Sequence, residues 1–152
     1  MIKIWDVRCK KYVDEMDGHQ FSEMNDLCLS SHQHFGFEQP SHDMLPISGS
    51  CSVGHYDGSL TIWNLNMRQC LAHDKLHSGE VRGVSYSADG RYVASASFDK
   101  NIIITDTLNV EDIQVVKTLE HDDKVVSVKW HPYLPLLLST SADKSAKIWS
   151  PN

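Results

Sequence analysis

Residues 95–107 read SASFDKNIIITDT and residues 139–151 read STSADKSAKIWSP. Each is a small polar run, an Asp, two further residues and then an apolar-alternating strand. A third copy, GHYDGSLTIWNL, occupies residues 54–65, and MIKIWDV at residues 1–7 matches only the end of the unit. The aspartates are Asp57, Asp99 and Asp143, spaced 42 and 44 residues apart. Six residues beyond them stand Trp63, Thr105 and Trp149. Upstream, His77 and His121 are 44 residues apart, and His19, in Asp17-Gly18-His19, opens the earlier unit. A period of about 40–45 residues with Gly-His and Trp-Asp marks is the signature of propeller blades, each a four-stranded sheet.

The residues between these marks read as strands. Val81, Val84 and Tyr86 lead into Ser87-Ala88-Asp89-Gly90, then Tyr92-Val93-Ala94-Ser95-Ala96. Ala-Asp-Gly between apolar runs is a turn, because Gly accepts positive φ and Asp caps its own backbone. In the next unit Val125, Val126, Val128 and Trp130 precede His131-Pro132-Tyr133-Leu134-Pro135. Two prolines there mark a loop, since Pro cannot donate to a central ladder. No stretch of ten residues or more carries a helical period. The expected class is all-β.

These marks resemble the WD40 family over nearly the whole chain. The match rests on Gly18-His19, Trp5-Asp6, Trp63-Asn64, Ser97-Phe98-Asp99 and Ser141-Ala142-Asp143. The resemblance implies that His, Ser or Thr, Asp and Trp are hydrogen-bonded within each blade. The last unit keeps the full set as His121, Ser139, Asp143 and Trp149. The unit before it keeps His77, Ser95 and Asp99 but has Thr105 for Trp. The earlier one keeps His19, Asp57 and Trp63 but has Val53 for Ser, so both should be less tightly wired. Within the family, residues 99–131 and 139–152 also resemble nemitin-type microtubule-associated WD-repeat proteins. That match rests on Thr105-Asp106, the link Leu108–Gln114 and the start His121-Asp122-Asp123-Lys124-Val125. It implies a cytoskeletal or ciliary setting, with microtubule-associated or axonemal partners.

Strands are expected in groups of two (residues 2–16), four (17–76), four (77–119) and three (120–152). Propellers have about 4–8 blades of four strands, so this chain alone should leave the ring open. Met1 falls inside a strand, which favours a chain completed by further sequence. Completion by a second chain and self-association of two copies are the other two readings.

The interval from Trp5 to Trp63 is 58 residues, against 42 from Trp63 to Thr105. The surplus lies mostly in an inserted loop, residues 30–46, SSHQHFGFEQPSHDMLP. His32, His34 and His42 lack a nearby Cys or spaced carboxylate to finish a tetrahedral zinc set, so no metal is expected. Phe35 and Phe37 flanking Gly36 are candidate partner contacts. Tyr56 and Phe98 are further candidates, at matching places in turns expected on one face, with Ala142 at the third. Deleting residues 31–42 should weaken one partner without unfolding the chain.

Composition narrows the rest. Lys and Arg number 14 against 20 Asp and Glu, net −6, with no visible basic stripe for nucleic acid. Apolar residues are 41%, enough for a core. No run of about 18 apolar residues predicts a membrane span, and the N-terminus lacks a signal-peptide core. Cys9, Cys28, Cys51 and Cys70 form no CxxC pair and read as free thiols in a reducing, cytoplasmic compartment. A Ser, a His and an Asp in one set invite a hydrolase reading, but the set recurs blade by blade and its Ser sits inside a strand, away from any nucleophile elbow. Neither a phosphate loop nor HExxH occurs. The reading is a scaffold for other proteins, with no catalysis and no cofactor. The alternative is an accessory or regulatory subunit of an enzyme complex.

Overall fold

The computed structural model describes residues 2–6, 11–16, 22–30, 50–65, 67–108 and 113–150. His19, Phe35, Phe37 and the loop histidines His32, His34 and His42 lie outside them. The described residues form strands and turns only, in four antiparallel sheets that do not close on themselves. Strands β1 (Ile2–Asp6) and β2 (Lys11–Met16) pair as a hairpin. The first full blade is β3 (Met24–Leu29), β4 (Ser50–His55), β5 (Ser59–Asn64) and β6 (Gln69–Lys75), in that spatial order. The second is β7 (Val81–Tyr86), β8 (Tyr92–Ser97), β9 (Asn101–Asp106) and β10 (Gln114–Glu120). The last sheet holds β11 (Val125–Trp130), β12 (Leu137–Ser141) and β13 (Ala146–Trp149).

Each blade begins with the same irregularity. The ladder slips at Asn25 in β3, Arg82 in β7 and Val126 in β11. A bulge adds one residue and resets the two-residue alternation. Val81 and Val84, three apart, are therefore both fully buried, as are Val125 and Val128.

Blades stack through these first strands. Leu60, Val81, Val84, Tyr86 and Val93 form one core between the first and second blades. Ala94, Ala96, Ile102, Leu119, Val125, Val128 and Leu137 form the next. Close approach needs glycine at Gly54, where a Cβ would stand 2.5 Å from Val81 Cγ1. The backbone edges of β7 and β11 are met by side chains of the preceding blade. The Val84 amide donates to Asp26 Oδ2 at 2.9 Å, and Asn25 Nδ2 donates to the Val81 carbonyl at 3.0 Å. The Trp130 amide donates to Ser85 Oγ at 3.1 Å. Unsatisfied backbone groups at these seams would otherwise oppose burial.

Candidate functional site

The turn between second and third strands has one construction in all three units. Asp57, Asp99 and Asp143 each accept the amide of the residue two further on, Ser59, Asn101 or Ser145, at 2.8–3.0 Å. The residue after each Asp has positive φ: Gly58 at 91°, Lys100 at 77° and Lys144 at 67°. Asp57 and Asp143 also accept the Ser59 and Ser145 hydroxyls at 2.6 Å. Those hydroxyl bonds are the main reason both carboxyls titrate below the usual range.

In the last unit all four residues implied by the family resemblance meet. His121 Nδ1 lies 2.8 Å from Asp143 Oδ2, and His121 Nε2 lies 2.8 Å from Ser139 Oγ. Trp149 Nε1 donates to the same oxygen at 2.8 Å. Trp can only donate and a carboxylate can only accept, so Ser139 Oγ takes the indole proton and Asp143 takes the His121 Nδ1 proton. Ser139 is fully buried and His121 nearly so. This directed chain ties β13 through β12 to the start of β11.

The second blade repeats the geometry without the indole. His77 Nδ1 sits 2.9 Å from Asp99 Oδ2 and its Nε2 sits 2.8 Å from Ser95 Oγ. Burial holds His77 below its ordinary pKa, against the pull of Asp99. Neutral His77 Nε2 accepts the Ser95 proton, and Ser95 Oγ also lies 3.3 Å from the Ile103 carbonyl. Thr105 turns its hydroxyl to the Val93 carbonyl at 3.2 Å. Its residue is fully buried where the last unit has Trp149.

The first blade is wired through residues that the sequence reading passed over. His55 Nδ1 donates to the Ser22 carbonyl at 3.0 Å, and His55 Nε2 faces Thr61 Oγ1 at 2.7 Å. Thr61 Oγ1 lies 2.8 Å from His73 Nδ1. The two imidazoles meet edge to face, 5.8 Å apart. Burial holds His55 below its ordinary pKa. The signal was available in Gly54-His55 and in Thr61-x-Trp63, but Gly-His was read only at Gly18-His19. Trp63 packs with Cys51 and Val53 in a separate buried cluster.

Tyr56, Phe98 and Ala142 occupy equivalent places. Their amides donate to the carbonyls of Glu23, Glu80 and Lys124, the residues just before β3, β7 and β11. Three turns thus share one side of the blades. Tyr56 is 58% exposed. Phe98 is half-buried, with the Arg82 guanidinium 5.4 Å and the Lys124 ammonium 4.9 Å from its ring centre. Arg82 also bonds Glu80 at 2.7 Å.

Cys28, Cys51 and Cys70 are free thiols, and burial pushes Cys28 and Cys51 up to about 12. No group of three metal-ligating side chains occurs among the described residues. No helix there is long and apolar enough to cross a membrane.

Stacked four-stranded blades carrying a recurrent His–Ser–Asp turn network define a β-propeller repeat protein. Two repeats of the WD domain, G-beta repeat family match at residues 68–106 and 113–150, and the chain belongs to that family. It is 24% identical to Protein HIR1 of Kluyveromyces lactis over 78% of this chain and 17% of that protein. It is 34% identical to Actin-interacting protein 1 of Drosophila melanogaster over 49% of this chain and 12% of that protein. WD repeat-containing protein 1 of Mus musculus is 38% identical over 50% of this chain and 13% of its own length. The chain thus spans less than a fifth of each of these three relatives. The solved structure of U3-55K superposes with a TM-score of 0.70 at 25% identity, over 89% of this chain and 38% of that one.

Proposed function

We propose that this chain is a non-catalytic WD40 scaffold that holds other proteins through the face bearing Tyr56 and Phe98, within a larger assembly. The observation that carries this is the common placement of the three turns. They set an exposed Tyr56 and a cation-flanked Phe98 on one side, and aromatic anchors of this kind are enriched where partners dock. The Ser–His–Asp sets serve structure: Ser139 is closed to solvent and its oxygen already accepts the Trp149 indole proton. In this reading residues 17–76, 77–119 and 120–152 are blades, residues 2–16 are part of another, and further sequence or another chain supplies the rest.

The setting we propose is cytoskeletal, with microtubules or their associated proteins as partners. Support comes from the nemitin-type pattern of the C-terminal half and from a relative named for interacting with actin. The test is cosedimentation of the chain with polymerised microtubules and, separately, with actin filaments. Saturable microtubule binding, weakened about fivefold or more by Tyr56→Ala or Phe98→Ala, is expected, since anchor truncation costs above about 1 kcal/mol. Sedimentation with neither polymer would remove the cytoskeletal setting. Binding indifferent to both substitutions would remove the turn face.

A further inference from the structure

The turns carrying Tyr56, Phe98 and Ala142 are built alike, but among the described residues only the second is set between cations. The first two turns are hydrogen-bonded to the loop that leads into the next blade: the Gly58 carbonyl accepts the His77 amide, and the Lys100 carbonyl accepts the His121 amide. Two positions thus belong to each such junction, the bulge residue of the blade's own first strand and the residue just before the next first strand. For Phe98 these are Arg82 and Lys124, 5.4 Å and 4.9 Å from the ring centre. The corresponding residues for the Tyr56 turn are Asn25 and Glu80, and the bulge residue for Ala142 is Val126. The same turn forms with each of these sets, so the fold does not require cations at Phe98.

Positive charge is left over at this junction. Glu80 engages Arg82 through one contact, Nη1 to Oε1 at 2.7 Å, and the Arg82 side chain stays 43% exposed. Among the described residues Lys124 Nζ forms no ion pair, and Lys100 brings a third ammonium, donating to the Asp122 carbonyl at 3.1 Å. Of the neighbouring acids, Asp99 is held by His77 and Asp123 by the Lys124 amide, while Asp122 is exposed on the same loop. A ring under a cation limits where the cation stands, so less side-chain freedom is lost when a partner arrives. Arg also presents a planar fork that matches a carboxylate.

We propose that Arg82, Phe98 and Lys124 form a seat for an acidic segment of a partner protein. One Asp or Glu carboxylate lies on the Arg82 guanidinium, and a second acidic side chain meets the Lys124 ammonium. This rests on the reading of the turn face as a partner surface and adds the partner's chemistry to it. The chain as a whole carries a net −6. A short acidic segment meets only the local cations, whereas the long phosphate run of a nucleic acid would also meet the acidic surface around them.

The test titrates rhodamine-labelled hexaglutamate with the 152-residue chain and follows anisotropy, with hexaglutamine as the uncharged control. Expected is saturable binding of hexaglutamate and not of hexaglutamine, fading as salt is raised about tenfold. Arg82→Glu and Lys124→Glu should each weaken it about fivefold or more, since each removes an attraction and adds a repulsion. Lys129→Glu, at the far end of β11, should leave it unchanged. The double variant Arg82→Glu, Lys124→Glu should prefer hexalysine while still unfolding cooperatively, a reversal that loss of folding does not give. No binding at millimolar hexaglutamate, or equal binding by the wild type and both single variants, would overturn the proposal. So would tighter binding of a single-stranded RNA hexamer that the same variants abolish, which would assign the cations to nucleic acid. The two readings fail separately. If Tyr56→Ala weakens cosedimentation with a polymer but hexaglutamate does not bind, the turn face stands and its acidic partner falls. If hexaglutamate binds as expected but Tyr56→Ala and Phe98→Ala leave cosedimentation unchanged, the cation seat stands without the wider face.

Discussion

Ser139 Oγ is shared by two groups, the His121 imidazole and the Trp149 indole. Ser139→Ala leaves the Trp149 indole N–H and His121 Nε2 without their shared oxygen. Leaving buried polar groups unmade costs about 1–3 kcal/mol each. The equivalent Ser95→Ala strands only His77 Nε2, because Thr105 stands where Trp149 would. Thermal unfolding should therefore fall further for Ser139→Ala than for Ser95→Ala, by about 2–4 °C per kcal/mol in a chain of this size. Equal losses would mean that the indole bond adds nothing. His77 gives a pH signature. Its folded pKa is depressed by burial, so below the unfolded value of about 6.5 the unfolded chain binds the proton first. Stability is fully present above that pH and is lost as pH falls towards the folded pKa, at up to about 1.4 kcal/mol per unit. The depressed carboxyls of Asp57 and Asp143 act in a lower window, where their protonation removes further stability. Urea midpoints at pH 8, 6.5 and 5.5 should decline in that order, and His77→Gln should flatten the decline.

The turns show how one element tolerates different residues at one strained position. Lys144 holds φ at 67° and makes its turn without using its side chain in a described bond. A left-handed L-residue costs about 1–2 kcal/mol, less what glycine adds in unfolded-state entropy. Lys144→Gly should thus raise stability by about 0.5–1 kcal/mol, read from the urea midpoint at unchanged m-value. Gly58 is bound twice over, by its φ of 91° and by the His77 carbonyl, into which a Cβ would run. Gly58→Ala should lower stability by at least about 1–3 kcal/mol, because the His77 amide also donates to Gly58 and the two backbones cannot separate. The bulges at Asn25, Arg82 and Val126 belong to the same scale. Simple alternation places Val81 and Val84 on opposite faces; the inserted residue brings both inward.

Across the whole molecule, stacked blades share cores, so stability grows with each neighbour. In the last sheet, which has no blade stacked on its outer face among the described residues, Leu138 and Ile148 are 46% and 71% exposed. Their counterparts in the second blade, Ala94 and Ile104, face or flank the core shared with β11 and β12. Much of this was legible in the sequence. The 42- and 44-residue spacing of Asp57, Asp99 and Asp143 identified the repeat, because each blade needs one such turn. His121, Ser139, Asp143 and Trp149 could be named in advance because the resemblance to the WD40 family implies that set, and the repeat spacing shows where the last unit carries it. The tertiary structure decided the rest. It routed the first blade through His55, Thr61 and His73, which meet only once β4, β5 and β6 pair in their register. It set Arg82 and Lys124 about Phe98 from two different blades, 42 residues apart. It also placed Val116, Leu134 and Trp149 around one hollow. Such contacts depend on strand register and on the stacking of one blade against the next, and neither is written in the spacing of a single repeat.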